Sequence, residues 1–308
     1  MEIVTGDPNL VNFVPESICG IDFSGAAQAG KNAWLAEIRR LDPESEKGAI
    51  DEPIWELTEL RRLGQLAGRD DREAVYDYLV DRILASDGTL WGMDFPFGLP
   101  LELGLGDWRR QLRHVAAYEG DARSYGRDLV DIARSLGPVM HLRRATDVET
   151  KTPFDCYHYR IIYQTFHGMR DVLGRISTDA ETLVLPFDTP ADARGSERTD
   201  KGSVRRVVVE ACPASTLKRW NAPHQRYKQS GGRSPTEDQR RTRRRILQPI
   251  ARLVKLSRHR RKIMMDNPGG DAIDAVIAAI GSWQAWQRED HRAIAAHPRY
   301  RREGRVYC

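Results

Sequence analysis

Ile18-Cys19-Gly20-Ile21-Asp22-Phe23-Ser24-Gly25 is a short apolar run that closes on a carboxylate and a turn. A run of this length, with isoleucines and bounding glycines, reads as a buried strand. An aspartate at the tip of such a strand is expensive to desolvate unless something pairs with it. The same pattern recurs in Leu90-Trp91-Gly92-Met93-Asp94-Phe95-Pro96 and in Val207-Val208-Val209-Glu210-Ala211-Cys212-Pro213. Further on, Asp271-Ala272-Ile273-Asp274-Ala275-Val276-Ile277 opens an apolar helix with two acids. Acids at equivalent strand ends, far apart in sequence, point to one shared polyvalent partner, and a divalent cation is the simplest.

Each acid also has a purely structural reading. Asp22 and Asp94 precede turns, which aspartate commonly initiates. Glu210 has Arg205, Arg206 and Lys218 nearby in sequence as alternative partners. Asp271, with an acid three residues on, resembles a capping box that complements the helix dipole. Asp274 is harder to explain this way, because Ile273, Val276, Ile277 and Ile280 place the helix in the core. The i,i+3 spacing puts both of its carboxylates on one face of the first turn.

Working outward, period and punctuation give alternating strands and helices. A second strand is expected at Ala33-Trp34-Leu35-Ala36-Glu37-Ile38, and a third element, strand or helix, at 53–60. Val75, Leu79, Ile83 and Leu84 mark a helix over 70–85. Helices follow at about 108–136 and 155–174, a strand at 182–187 and a loop at 188–203. After the Glu210 strand come a basic helix near 235–257, the helix from 271 to about 288 and a short closing strand at 304–308. No internal repeat is visible. At 308 residues the chain can bury the core of one large domain.

The amino terminus lacks a basic region followed by an apolar one, so no signal peptide is expected. No apolar run is long enough to span a bilayer. Cys19, Cys156, Cys212 and Cys308 show neither paired nor zinc-like spacing, which points to a reducing cytoplasm without a disulfide framework. The net charge of +4 hides an asymmetry: residues 205–262 hold 18 Lys/Arg against three acids, a net of +15, leaving −11 elsewhere. The densest parts are Arg240-Arg241-Thr242-Arg243-Arg244-Arg245 and Arg258-His259-Arg260-Arg261-Lys262. Such clusters attract polyanions, because neutralised phosphates release counterions; an arginine-rich solvated helix face is the alternative. Gly231-Gly232-Arg233-Ser234-Pro235 beside them reads as a loop able to tighten on a ligand.

Gly25-Ala26-Ala27-Gln28-Ala29-Gly30-Lys31-Asn32 matches G-x-x-x-x-G-K, but Asn32 stands where a hydroxyl would bind magnesium. The residues after Lys31 alternate like a strand, so a glycine-rich hairpin is expected rather than a phosphate loop.

The order of these elements, with its strand-tip acids and D-x-x-D-A helix, resembles the ribonuclease H fold, and the helix resembles that of RuvC-type Holliday junction resolvases. Four stretches, Gly20 to Ala26, Asp94 to Pro100, Glu210 to Ser215 and Gly270 to Ala275, are similar to the family catalogued as domain of unknown function 429. Thr152-Pro153-Phe154, the stretch from Tyr157 to Phe166 and the close from Glu303 to Tyr307 extend the similarity nearly end to end. The resemblance implies an α/β ribonuclease H-like mixed sheet flanked by helices, as a single domain over 1–308. It carries a helical insertion at about 100–200 and a basic helical segment at about 226–262.

The activity implied is hydrolysis of DNA or RNA phosphodiesters with two Mg²⁺ or Mn²⁺ ions. Asp22 would bridge the ions, Asp94 or Glu210 would hold one and Asp274 with Asp271 the other, while Lys218 contacts the scissile phosphate. Arg240, Arg241, Arg243, Arg244, Arg245, Arg260, Arg261 and Lys262 would hold the nucleic acid. An actin-like ATPase, a small-molecule phosphotransferase and a non-catalytic nucleic-acid binder are the alternatives; the first normally repeats its core, which 308 residues leave little room to do.

Overall fold

The apolar runs that end on Asp22 and Asp94 form neighbouring parallel strands, and the rest of the sheet is built around them. This computed structural model describes residues 13–41, 55–188, 204–229 and 231–308. The strands are β1 (Ser17–Asp22), β2 (Trp34–Arg40), β3 (Trp55–Arg62), β4 (Thr89–Asp94), β5 (Thr182–Val184), β6 (Arg206–Ala211) and β7 (Val306–Tyr307). They form a seven-stranded mixed sheet in the order β3-β2-β1-β4-β6-β5, with β7 also on β6. β1, β2 and β3 are antiparallel neighbours, whereas β4, β6, β5 and β7 add in parallel.

Helices flank this α/β sheet: α1 (Leu63–Ala67), α2 (Arg72–Ala85), α3 (Trp108–Ala116), α4 (Ala122–Leu136), α5 (Ala145–Glu149) and α6 (Ile162–His167). α6 runs on through a π-helical turn, Gly168–Leu173. Then come α7 (Pro213–Arg219), α8 (Glu237–Leu253), α9 (Arg258–Asp266) and α10 (Asp271–Arg288). No helix among the described residues is long and apolar enough to cross a membrane. All four cysteines are buried and free.

Strand alternation sorts the core into two layers. Cys19, Ile21, Trp91 and Met93 pack with Val75 and Leu79 of α2 and with Phe166 and Met169. Ile18, Trp34, Ala36 and Ile38 pack with Ile273, Val276 and Ile277 of α10 and with Ile246 and Ile250 of α8. Two glycines let α10 lie flat on the sheet. A Cβ on Gly20 would sit 2.0 Å from the carbonyl oxygen of Ala275, and one on Gly92 would sit 2.1 Å from Oγ of Ser282.

Several elements differ from the sequence expectations for local reasons. The stretch 108–136 is two helices, because Asp121 accepts from the Ser124 amide and caps a fresh start at Ala122. The helix expected from 155 begins at Ile162, since the Asp155 carboxylate takes the Tyr157 amide in a preceding turn. The undecided third element is a strand from Trp55. Its partner is unexpected: Trp55 and Leu57 exchange backbone hydrogen bonds with Lys255, which ends the basic helix at Leu253 and makes α9 a separate helix. Of the 188–203 loop, residues 189–203 lie outside the described residues.

Candidate functional site

Strand register alone sets Asp22 beside Asp94: their Cα atoms are direct partners at the carboxyl ends of β1 and β4. Gly20 and Gly92, two residues before them, face α10, so by period-two alternation both aspartates point toward that helix. α10 crosses Gly20 at Ala275 and Ala279 and crosses Gly92 at Ala278 and Ser282. Its first turn, carrying Asp271 and Asp274, therefore projects over the strand tips. The capping explanation for Asp271 does not hold, because Gly270 occupies the N-cap with φ +80° and no side-chain cap. The Asn267 side chain instead accepts from the Ala272 amide at 3.1 Å.

The four aspartates face one another in a poorly solvated place. Burial raises the Asp22 carboxyl well above its usual range, with Asp271, Asp274 and Asp94 adding to the effect and Lys228 opposing it. Burial and the nearby Asp274 push Asp94 up to about 7, again against Lys228. Asp271 is raised by burial and by Asp274. Neither the Asp22 nor the Asp94 carboxylate accepts a hydrogen bond from any described residue. Asp274 is held: the Tyr227 hydroxyl donates to it at 2.7 Å, and the Lys228 ammonium sits on its other oxygen. Burial works against the charged ammonium, but Asp274, Tyr227 and Asp22 outweigh it and keep Lys228 protonated. Half of the Lys228 side chain is nonetheless exposed (51%), so it lies across the mouth of the cluster.

Glu210 is placed differently from the other strand-tip acids. Its two oxygens accept from the Arg144 guanidinium at 2.5 and 2.8 Å, and one of them also takes the Phe97 amide at 2.9 Å. Arg144 in turn binds Asp147 at 2.9 Å, and all three side chains are buried. Held by three donors, Glu210 fixes the loop that follows Asp94; by strand alternation it points to the opposite face of the sheet from Asp94, which faces α10. Lys218 is also elsewhere. Its ammonium donates to the Lys151 carbonyl, in a cavity lined by Arg143, Thr152 and His224. Lys228 is the lysine at the acids, and nothing in its local sequence announces it.

The basic segment divides as well. Arg243 is fully buried and donates to the carbonyls of Tyr227, Met265, Asn267 and Pro268 at 2.6–2.9 Å. It is a clamp that ties the Tyr227–Lys228 stretch to the turn before Asp271, not a phosphate contact. Arg240 and Lys262 bind Asp266, and Arg244 binds Glu237. Arg260 reaches the Thr58 carbonyl and lies 3.8 Å from Glu56, and Arg261 donates to the Leu256 carbonyl. Arg241, 3.8 Å from Asp238, and Arg245 are exposed on α8.

The G-x-x-x-x-G-K stretch is a tight turn, not a phosphate cradle. Ala29–Lys31 make one 3-10 turn into β2, and a Cβ on Gly30 would meet the Gly64 Cα at 2.7 Å. Its glycine serves close packing against α1. Among the described residues, no three His, Cys, Asp or Glu side chains already stand together as a ready metal cage. Comparison with family models, with curated proteins and with solved structures finds no match to this chain.

Proposed function

We propose that the chain is a divalent-metal-dependent nuclease of ribonuclease H-like fold, related to the domain of unknown function 429 family. One observation carries the reading: four carboxylates lie at or over the tips of β1 and β4, near enough to raise one another's proton affinity without already forming a cage, and a single ammonium opposes them. Carboxylates held near one another in a poorly solvated place repel one another and resist ionisation, and a hard divalent cation is the ligand that oxygen-only donors of this kind suit. The antiparallel β3-β2-β1 followed by parallel β4 and β6, with a D-x-x-D helix across β1 and β4, supports the fold assignment.

Asp22, central in the cluster, would hold the metal together with Asp94 on one side and Asp274 with Asp271 on the other. When bound, paired Mg²⁺ or Mn²⁺ ions supply an activated water and a stabilised leaving oxygen. Tyr227 keeps Asp274 oriented, and Glu210 with Arg144 keeps the Asp94 loop in place. Lys228, on a half-exposed side chain, would be the residue to contact the phosphate, the role expected of Lys218, once Asp274 held a cation.

The test is cleavage of single-stranded, duplex and branched DNA and RNA with Mg²⁺ or Mn²⁺, alongside ATP. Turnover of a nucleic acid that Asp22→Asn and Asp274→Asn each abolish is expected. Phosphate release from ATP with every nucleic acid left intact would overturn the reading in favour of an ATPase.

A further inference from the structure

A groove of about 880 Å³ opens beside the acid cluster, with Asp271 in its lining. Its walls are the ends of β2 and β3, the turn at Lys31, α9 and the turn before α10; Lys31, Trp34, Arg62, His259 and Arg260 line it. Register ties this groove to the cluster. Trp34 is the direct partner of Asp22 on one side and of Arg62 on the other. Arg62, Trp34, Asp22 and Asp94 thus form one row across four adjacent strands. At strand spacings of about 4.8 Å, Arg62 stands roughly 10 Å from Asp22, within the span of a few nucleotides.

The charges of the lining favour an anion. Glu59 is already taken by Arg61, and Asp266 by Arg240 and Lys262. Lys31 and Arg62 form no ion pair among the described residues. On α8, by contrast, the run of arginines is largely spent on Asp266, Glu237 and backbone carbonyls.

We infer that a nucleic-acid strand reaches the acid cluster along this groove, its phosphates held by Lys31 and Arg62, and that the arginines of α8 do not carry the binding. The inference rests on the nuclease reading for what happens at the cluster, but its binding step is measured separately. Anisotropy of a fluorescently labelled single-stranded oligodeoxynucleotide is followed against salt with the full chain and no added divalent cation. Each phosphate neutralised on a single strand contributes about 0.7 to the log–log slope, so Lys31→Gln/Arg62→Gln lowers the slope by roughly 1.4. A fourfold rise in salt then costs this variant about sevenfold less affinity than it costs the wild type. Arg241→Gln/Arg244→Gln/Arg245→Gln keeps the wild-type slope. Lys31→Glu, at an exposed position, weakens binding on its own without changing the melting temperature, which separates lost contact from lost fold. An unchanged slope in the groove variant, a loss in the α8 variant instead, or no binding by the wild type at low salt overturns the inference. Groove-dependent binding without metal-dependent cleavage would leave it standing and sink the nuclease reading alone.

Discussion

Replacing Asp94 with asparagine should make the metal-free protein more stable, and more so as pH rises. The Asp94 carboxyl accepts no hydrogen bond from a described residue, and burial beside Asp274 lifts it from an ordinary value of 3.8 to about 7. An acid with a raised folded-state pKa binds its proton more tightly when folded. Its penalty is therefore absent below the unfolded value, grows as pH rises from about 4, and is complete above about 7. Each tenfold difference in proton affinity between the folded and unfolded chain corresponds to about 1.4 kcal/mol. The penalty is then roughly 4 kcal/mol at pH 8 and under about 2 kcal/mol at pH 5. Partial solvent access to Asp94 makes these upper values. Asparagine removes the charge at nearly constant shape, so thermal or urea unfolding without divalent cations should show a gain at pH 8 more than twice that at pH 5. A gain that is absent, or equal at the two pH values, would refute the claim that burial and repulsion penalise the ionised Asp94.

Removing the guanidinium in Arg144→Met leaves Glu210 and Asp147 buried without their partner and should cost about 3–5 kcal/mol in urea unfolding. Glu210→Gln should keep the divalent-dependent rise in melting temperature that Asp22→Asn loses; its loss in both would return Glu210 to the ligand set. Gly20→Ala drives a Cβ into the α10 backbone and should cost about 3 kcal/mol or more along with the divalent response. Gly137→Ala, whose Cβ meets open space, should leave both nearly unchanged in the same melts.

The acids were legible because a carboxylate ending an apolar strand, or opening an apolar helix, violates the burial pattern that surrounds it. Asp22, Asp94, Asp271 and Asp274 all stand out on that ground and are brought together. Glu210 gave the same local signal for a different reason. Its partner, Arg144, lies 66 residues away, and one more arginine in an arginine-rich chain leaves no trace of being buried. Arg243 had a readable sign that charge counting hid: it shares the helical face of Ile246, Leu247 and Ile250, at i+3, i+4 and i+7. Lys228 and Lys218 sit in equally plain surroundings, and only the fold decides which meets the acids. The glycines of the Gly25–Lys31 stretch matched a phosphate loop by spacing, whereas close packing, of Gly25 on the Tyr163 backbone and of Gly30 on Gly64, is what they serve. The break of the basic segment at Lys255 depended on pairing with β3, a long-range contact that periodicity does not encode.

The most direct measurement is a crystal structure with saturating Mn²⁺, read by anomalous scattering. Manganese should appear between Asp22, Asp94 and the first turn of α10, with the Lys228 ammonium moved off Asp274. An acid cluster empty of manganese, with Lys228 still seated on Asp274, would contradict the account.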